Sequence, residues 1–155
     1  MKKILSMIAL SLLATTAVHA QRAKVSAEEE ANKKVVYEFY RQVWETGNAE
    51  LLPQFYAADF KEHNPAVPPG GLDGLARYLK VRFPTVKPAG KELQNPPAMV
   101  QVDGDLVTWT FRREAKDPKD GSPYSAYWFD TYRIKNGKVI EHWDAATRQA
   151  PPAAR

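Results

Sequence analysis

The hydrophobic pattern changes period once along this chain, and that change divides it into two kinds of structure. In the first half, Val36, Phe39, Tyr40, Val43 and Trp44 recur at i, i+3, i+4, i+7 and i+8, which lines them along one face of a helix. After a connection holding Pro84, Pro88, Pro96 and Pro97, the period drops to two. Segments 99–102, 106–113, 124–134 and 138–145 then read as successive strands. Asp103-Gly104, the loop 117–123 and Asn136-Gly137 supply the turns between them. Helices followed by an antiparallel meander predict an α+β domain with the helices on one face of the sheet. A strongly curved sheet wrapped on three N-terminal helices would form a cone with a cavity inside. At 155 residues the chain is the length of a single domain.

The helix boundaries are marked by residue chemistry. Ser26 and Glu29 have the spacing of a capping box, and Gly47 suits the position just past the end of the first helix. Asn48 can cap a short second helix over 51–56. Residues 59–62 resemble a brief strand, followed by a proline- and glycine-rich loop over 63–71. A third helix carries Leu72, Leu75, Tyr78, Leu79 and Phe83 on one side and ends before Pro84.

The first twenty residues read as an export signal. Lys2 and Lys3 form a positive start, an apolar run covers 4–13, and Ala17, Val18, His19 and Ala20 offer a cleavage site before Gln21. The apolar run is too short for a membrane anchor, which needs about 20 residues. The expected layout is therefore a signal over 1–20, one domain over 21–149 and a frayed tail over 150–155, in a periplasmic or secreted protein.

Export changes the charge argument. Losing Lys2 and Lys3 takes the 22 basic side chains to 20 against 18 acidic ones, so the formal charge falls from +4 to +2. No basic cluster remains beyond short pairs such as Arg112-Arg113, which speaks against nucleic acid and membrane partners. Cysteine is absent, so disulfides, thiolate metal sites and cysteine nucleophiles drop out together. Histidine falls from three to two, His63 and His142.

The terminal hairpin carries the groups best suited to chemistry, and its register decides which of them meet. A two-residue Asn136-Gly137 turn pairs Ile134 with Val139 and turns Asp130 away from His142 and Asp144. A three-residue loop, Lys135-Asn136-Gly137 with a bulge at Gly137, pairs Arg133 with Val139 and Asp130 with His142. The second arrangement is favoured. It gathers Trp128, Asp130, Tyr132, Ile140, His142 and Asp144 on one face and leaves Phe129, Thr131, Arg133, Val139, Glu141 and Trp143 on the other.

Two carboxylates and an imidazole on an aromatic face suit proton transfer, because burial raises a carboxyl pKa toward working pH and the imidazole orients or shares the proton. The plainer alternative is that these groups satisfy one another and close the strands. His63, in the loop tripeptide His63-Asn64-Pro65, gains weight only if it reaches the same cavity mouth. Tyr40 and Trp44 are helix-face aromatics, core or pocket wall, and Trp128 and Tyr132 are candidate pocket wall on the strand. The two histidines with Asp130 or Asp144 could form a two-histidine, one-carboxylate metal set. No His-x-His or His-x-x-x-His spacing supports that reading, so neither metal nor cofactor is expected.

Residues 32–44, the run Phe60-Lys61-Glu62-His63-Asn64-Pro65 and the hairpin Phe129-Asp130-Thr131-Tyr132-Arg133-Ile134 with 137–144 together resemble the SnoaL-like polyketide-cyclase family of the nuclear-transport-factor-2-like superfamily. The resemblance spans about 32–144. It implies an α+β cone with an apolar pocket, often dimeric. In the family's cyclases an aspartate at the end of the last strand is the general acid/base of an aldol condensation that needs no cofactor, and Asp144 matches that position. The cyclases' partner histidine, three residues before the Arg-Ile pair, is replaced here by Asp130. The resemblance is closer to the aldol-condensation subgroup, at His63, Asp130, His142 and Asp144.

Two functions follow as expectations. One is a small acid/base enzyme of aldol-condensation, lyase or isomerase type on a hydrophobic carbonyl compound. Asp144 would move the proton, His142 and Asp130 would tune and orient it, and His63 would bond a substrate oxygen. The other is a binding or scaffold protein that holds a hydrophobic small molecule in the same cone.

Overall fold

The computed structural model describes residues 25–146, so the expected export signal over 1–20 and the tail over 150–155 lie outside the described residues. Helix α1 spans Ala27–Phe39. Its start is fixed as the sequence predicts: the Glu29 amide donates to Ser26 Oγ at 3.1 Å, and the Ser26 amide donates to Glu29 Oε2 at 2.7 Å. Glu29 Oε1 also accepts the Gly104 amide, and Asn32 Nδ2 donates to the Gly104 carbonyl. The cap of the first helix thereby also anchors the first turn of the meander.

The helix widens into a π turn over Tyr40–Trp44, where the Glu45 amide bonds the Tyr40 carbonyl at 2.9 Å. A π turn inserts an extra residue and rotates the side chains beyond it. Tyr40 and Trp44 both line the interior. The second helix is shorter than expected. A 3₁₀ turn over Ala49–Leu51, capped by Asn48, leads into α2 over Leu52–Phe55, and β1 starts early, spanning Tyr56–Glu62. Helix α3 spans Gly71–Arg82. At Gly74 a Cβ would stand 2.0 Å from the Pro68 carbonyl oxygen, so only glycine lets the 63–70 loop lie against this helix. Among the described residues no helix is long and apolar enough to cross a membrane.

Strands β2 (Met99–Asp103), β3 (Leu106–Lys116), β4 (Pro123–Lys135) and β5 (Lys138–Asp144) form the antiparallel meander. The α+β cone is present, but the sheet is mixed. Its order is β1-β5-β4-β3-β2, and β1 pairs parallel to β5. The expected antiparallel meander is present, and β1 adds to its edge in parallel, a pairing no local turn signal reports because β1 and β5 are far apart in sequence. The core lies between helices and sheet, with Val36, Phe39, Val43, Leu52, Leu79, Val107, Trp109 and Val139 buried.

The β4–β5 register corrects the three-residue loop. Asn136 and Gly137 have φ of 52° and 70°, the two left-handed positions of a two-residue type I′ turn. Ile134 therefore pairs with Val139, and both are buried, so Val139 belongs to the core and not to the outer face. Ile140 then enters as an extra residue, a bulge, and pairing resumes with Arg133 opposite Glu141, Tyr132 opposite His142 and Asp130 opposite Asp144. The bulge returns His142 and Asp144 to the face of Asp130. The expected grouping of Asp130, Tyr132, His142 and Asp144 holds, but Ile140 loses its place opposite Tyr132.

Candidate functional site

Between the helices and the sheet lies a cavity of about 660 Å³. Tyr40, Trp44, Trp128, Asp130, Tyr132, His142 and Asp144 all line it. The strands supply them in rows. On one row Glu62 of β1, His142 of β5 and Tyr132 of β4 lie side by side; on the next, Asp144, Asp130 and Trp109.

Asp130 is the hub. Its Oδ2 accepts the Tyr40 hydroxyl at 2.5 Å, its Oδ1 accepts the Trp128 indole N–H at 2.8 Å, and His142 Nε2 lies 3.6 Å from Oδ1. Tyr132 donates onward to the Tyr40 hydroxyl at 3.1 Å, and Tyr40 stacks on Trp109 with centroids 4.5 Å apart. Burial, reinforced by the Asp130 charge, holds the Tyr40 phenol far above its ordinary pKa, and Tyr132 is held there too, by burial and its tyrosine and carboxylate neighbours. Both phenols are therefore donors throughout the physiological range.

His142 is buried, stacked on Tyr132 at 4.7 Å, with Nδ1 2.8 Å from Glu62 Oε1. Burial alone would lower its pKa, but the Asp130 carboxylate 3.6 Å from Nε2 and the hydrogen-bonded Glu62 carboxylate outweigh that and push it up to about 9. At neutral pH His142 is an imidazolium, donating through Nδ1 to Glu62, while its Nε2 closes no hydrogen bond. Asp144 is half-buried. Its Oδ2 accepts the Asn64 amide at 2.5 Å and its Oδ1 accepts the Ala146 N–H at 2.9 Å. Burial raises its pKa above the ordinary carboxyl value against the lowering pull of the Ala146 bond and of His142, while the charges of Asp130 and Glu62 add to the rise.

His63 stands apart from this group. It stacks on Trp143 with centroids 5.1 Å apart, and its Nε2 lies 2.8 Å from Glu141 Oε1. Glu141 and Trp143 occupy the opposite face of β5 from His142, so His63 is outside the cavity and does not reach a ligand held there. The reason is parity: Glu62 points inward beside His142, so the next residue points out. Glu62 and Asn64 are the site residues that sequence reasoning left unassigned. Glu62 lies two positions after the buried Phe60, the period-two spacing of an inward face, and that signal could have found it.

Ligand atoms of Asp130, His142 and Asp144 lie within 4.8 Å of one another, so these three could hold a cation. A cation there must displace the proton that His142 holds to about pH 9, and it would find one imidazole nitrogen and two carboxylates.

A curved sheet wrapped on helices, enclosing a cavity with a polar floor and aromatic walls, defines an α+β cone. Residues 36–142, well over half of the chain, match the SnoaL-like domain family, and the protein belongs to that family. Solved structures share its fold at low identity. A protein assigned as a polyketide cyclase from Acidithiobacillus ferrooxidans is 21% identical, with TM-score 0.53 over 74% of this chain and 86% of that one. A SnoaL-like polyketide cyclase assignment from Jannaschia sp. CCS1 is 19% identical, with TM-score 0.55 over 79% and 90%. An NTF2-like protein from Burkholderia xenovorans LB400 is also 19% identical, with TM-score 0.53 over 78% and 91%. Comparison with curated proteins gives no match.

Proposed function

We propose that this protein is an exported acid/base enzyme that moves a proton next to the carbonyl of a hydrophobic small molecule, in a step of aldol-condensation, lyase or isomerase type. Asp144 is the base, and His142 and Asp130 tune and orient it. The observation that carries this reading is Asp144 itself: a half-buried carboxyl, above its ordinary pKa, at the wall of a cavity and across the strand pair from Asp130. A raised pKa makes a carboxylate a stronger base, and the nearby imidazolium offers positive charge to a developing enolate. The role first expected of His63, a bond to the substrate oxygen, is not carried over, since its ring stacks on Trp143 and meets Glu141 on the far side of β5. The signal-like segment over 1–20 supports export, where breakdown or detoxification of such a compound fits better than biosynthesis inside the cell.

A second reading, a binding protein without turnover, draws support from one observation: both Asp144 oxygens already accept hydrogen bonds from Asn64 and Ala146. Deuterium incorporation next to the carbonyl of an enolisable aryl ketone such as 2-tetralone, followed by NMR in heavy water, separates the two. Acceleration by the protein that disappears in Asp144→Asn is expected. Retained exchange in Asp144→Asn would remove Asp144 as the base, and binding of the ketone without any acceleration would favour the second reading.

A further inference from the structure

Each wall of the cavity carries an arginine laid on a tryptophan. On the helical side the Arg82 guanidinium lies 5.9 Å from the Trp44 ring and 5.6 Å from Phe83. On the sheet side the Arg113 guanidinium lies 4.6 Å from the Trp128 ring. All four residues Arg82, Trp44, Arg113 and Trp128 line the cavity. Both arginines are exposed while Asp130 and His142 are buried, so the cationic pair marks the solvent end and the carboxylates mark the floor.

These two arginines differ from the others in the described residues. Arg41 is held by Glu38 and the Gly90 carbonyl, Arg77 by the Pro69 carbonyl, Arg112 by Glu114 and Ser125, and Arg133 by Glu141. Among the described residues Arg82 and Arg113 have no carboxylate, carbonyl or hydroxyl partner. A cation–π contact fixes the plane of a guanidinium but leaves its N–H edge free to donate, and that edge matches a carboxylate in two-point geometry.

The geometry points to an anion-binding subsite at the cavity mouth, formed by Arg82 and Arg113, which selects hydrophobic substrates ending in a carboxylate. This rests on the cavity being the substrate site. The charge layout also orients such a molecule. At the floor the carboxyl oxygens of Glu62, Asp130 and Asp144 surround the single imidazole of His142, so that end is rich in acceptors and offers a carboxylate few donors. The carboxylate stays at the mouth, the apolar body lies between Trp44 and Trp128, and the neutral far end meets Asp144. A substrate neutral throughout leaves two exposed guanidinium groups at the opening with nothing to bind.

Isothermal titration with 2-naphthoate and its uncharged, near-isosteric amide 2-naphthamide tests the assignment. Naphthoate should bind tighter by about tenfold or more. Arg82→Gln and Arg113→Gln should each weaken naphthoate about fivefold, the effect of one partly exposed charge pair, and leave the amide unchanged. The double variant should bind both probes equally, with unchanged circular dichroism. Equal binding of the two probes by the unaltered protein, a naphthoate preference that survives in the double variant, or no binding of either would overturn the subsite. Asp144→Asn should keep the naphthoate preference, so loss of the preference and loss of proton transfer are separate results.

Discussion

Glu62 and His142 sit opposite one another across the parallel β1–β5 pair, with Glu62 Oε1 2.8 Å from His142 Nδ1. Neighbours on different strands, they make one buried ion pair, and this pair helps to keep a buried imidazole charged. A folded-state pKa of about 9 against an ordinary value of 6.5 has a definite sign. The pair's contribution to stability is fully present below about pH 6.5 and is lost as pH rises through about 9. The urea midpoint should fall across that window. In Glu62→Gln the His142 pKa read by NMR titration should drop, and the stability loss should shift to lower pH with it. An unchanged His142 titration in Glu62→Gln would contradict the pairing.

Catalytic proton transfer should show two limbs against pH. Asp144 must be ionised to accept a proton, and its raised pKa moves the rising limb to higher pH than an ordinary aspartate gives. The falling limb should follow loss of the His142 proton near pH 9. The deuterium-exchange rate of 2-tetralone measured from pH 4 to 10 checks both limbs. A flat profile above pH 8 in the unaltered protein would separate His142 from the chemistry.

Tyr40→Phe should destabilise the protein by about 1–3 kcal/mol, because it strips a buried carboxylate oxygen of its donor and leaves the Tyr132 hydroxyl without its acceptor. Urea denaturation measures the cost. The ring is retained, so packing against Trp109 survives and the loss reports the hydrogen bonds alone.

His63→Ala should leave ligand binding and exchange rates unaltered. Its ring touches Trp143 and Glu141 on the far side of β5, and the expected cost in stability is below about 1 kcal/mol for a partly exposed contact. A large fall in exchange rate with an unchanged fold would place His63 in the reaction after all.

Asn136→Ala should cost about 1 kcal/mol, since φ of 52° suits asparagine or glycine and strains alanine, whereas Asn136→Gly should be near neutral. Thermal melting of the two variants gives the comparison.

Much of this architecture could be read from local chemistry. Ser26 and Glu29 cap α1 through bonds between residues three apart, and Asn136-Gly137 makes a turn from two residues that tolerate positive φ. The alternation in 124–134 and 138–145 put Asp130, His142 and Asp144 on one face, and that grouping survives. It survives by a different route, however. A two-residue turn followed by a bulge at Ile140 produces the same side-chain parity as a three-residue loop, so the pattern of faces could not distinguish them. Only the burial of Ile134 against Val139 favours the observed register.

What the sequence by itself determined, then, was an α+β chain with a change from helical to alternating period, its caps and turns, and an inward face carrying two aspartates and a histidine. The tertiary structure alone decided that β1 lies parallel to β5, which brings Glu62 to His142 across eighty positions of chain and turns His63 outward. It also decided that Tyr40, on the π turn, reaches Asp130 from the opposite wall. The physical reason is range. Caps, turns and alternation arise from interactions within a few residues. The charge state of His142 arises from carboxylates on two other strands, brought together only when the sheet closes over the helices.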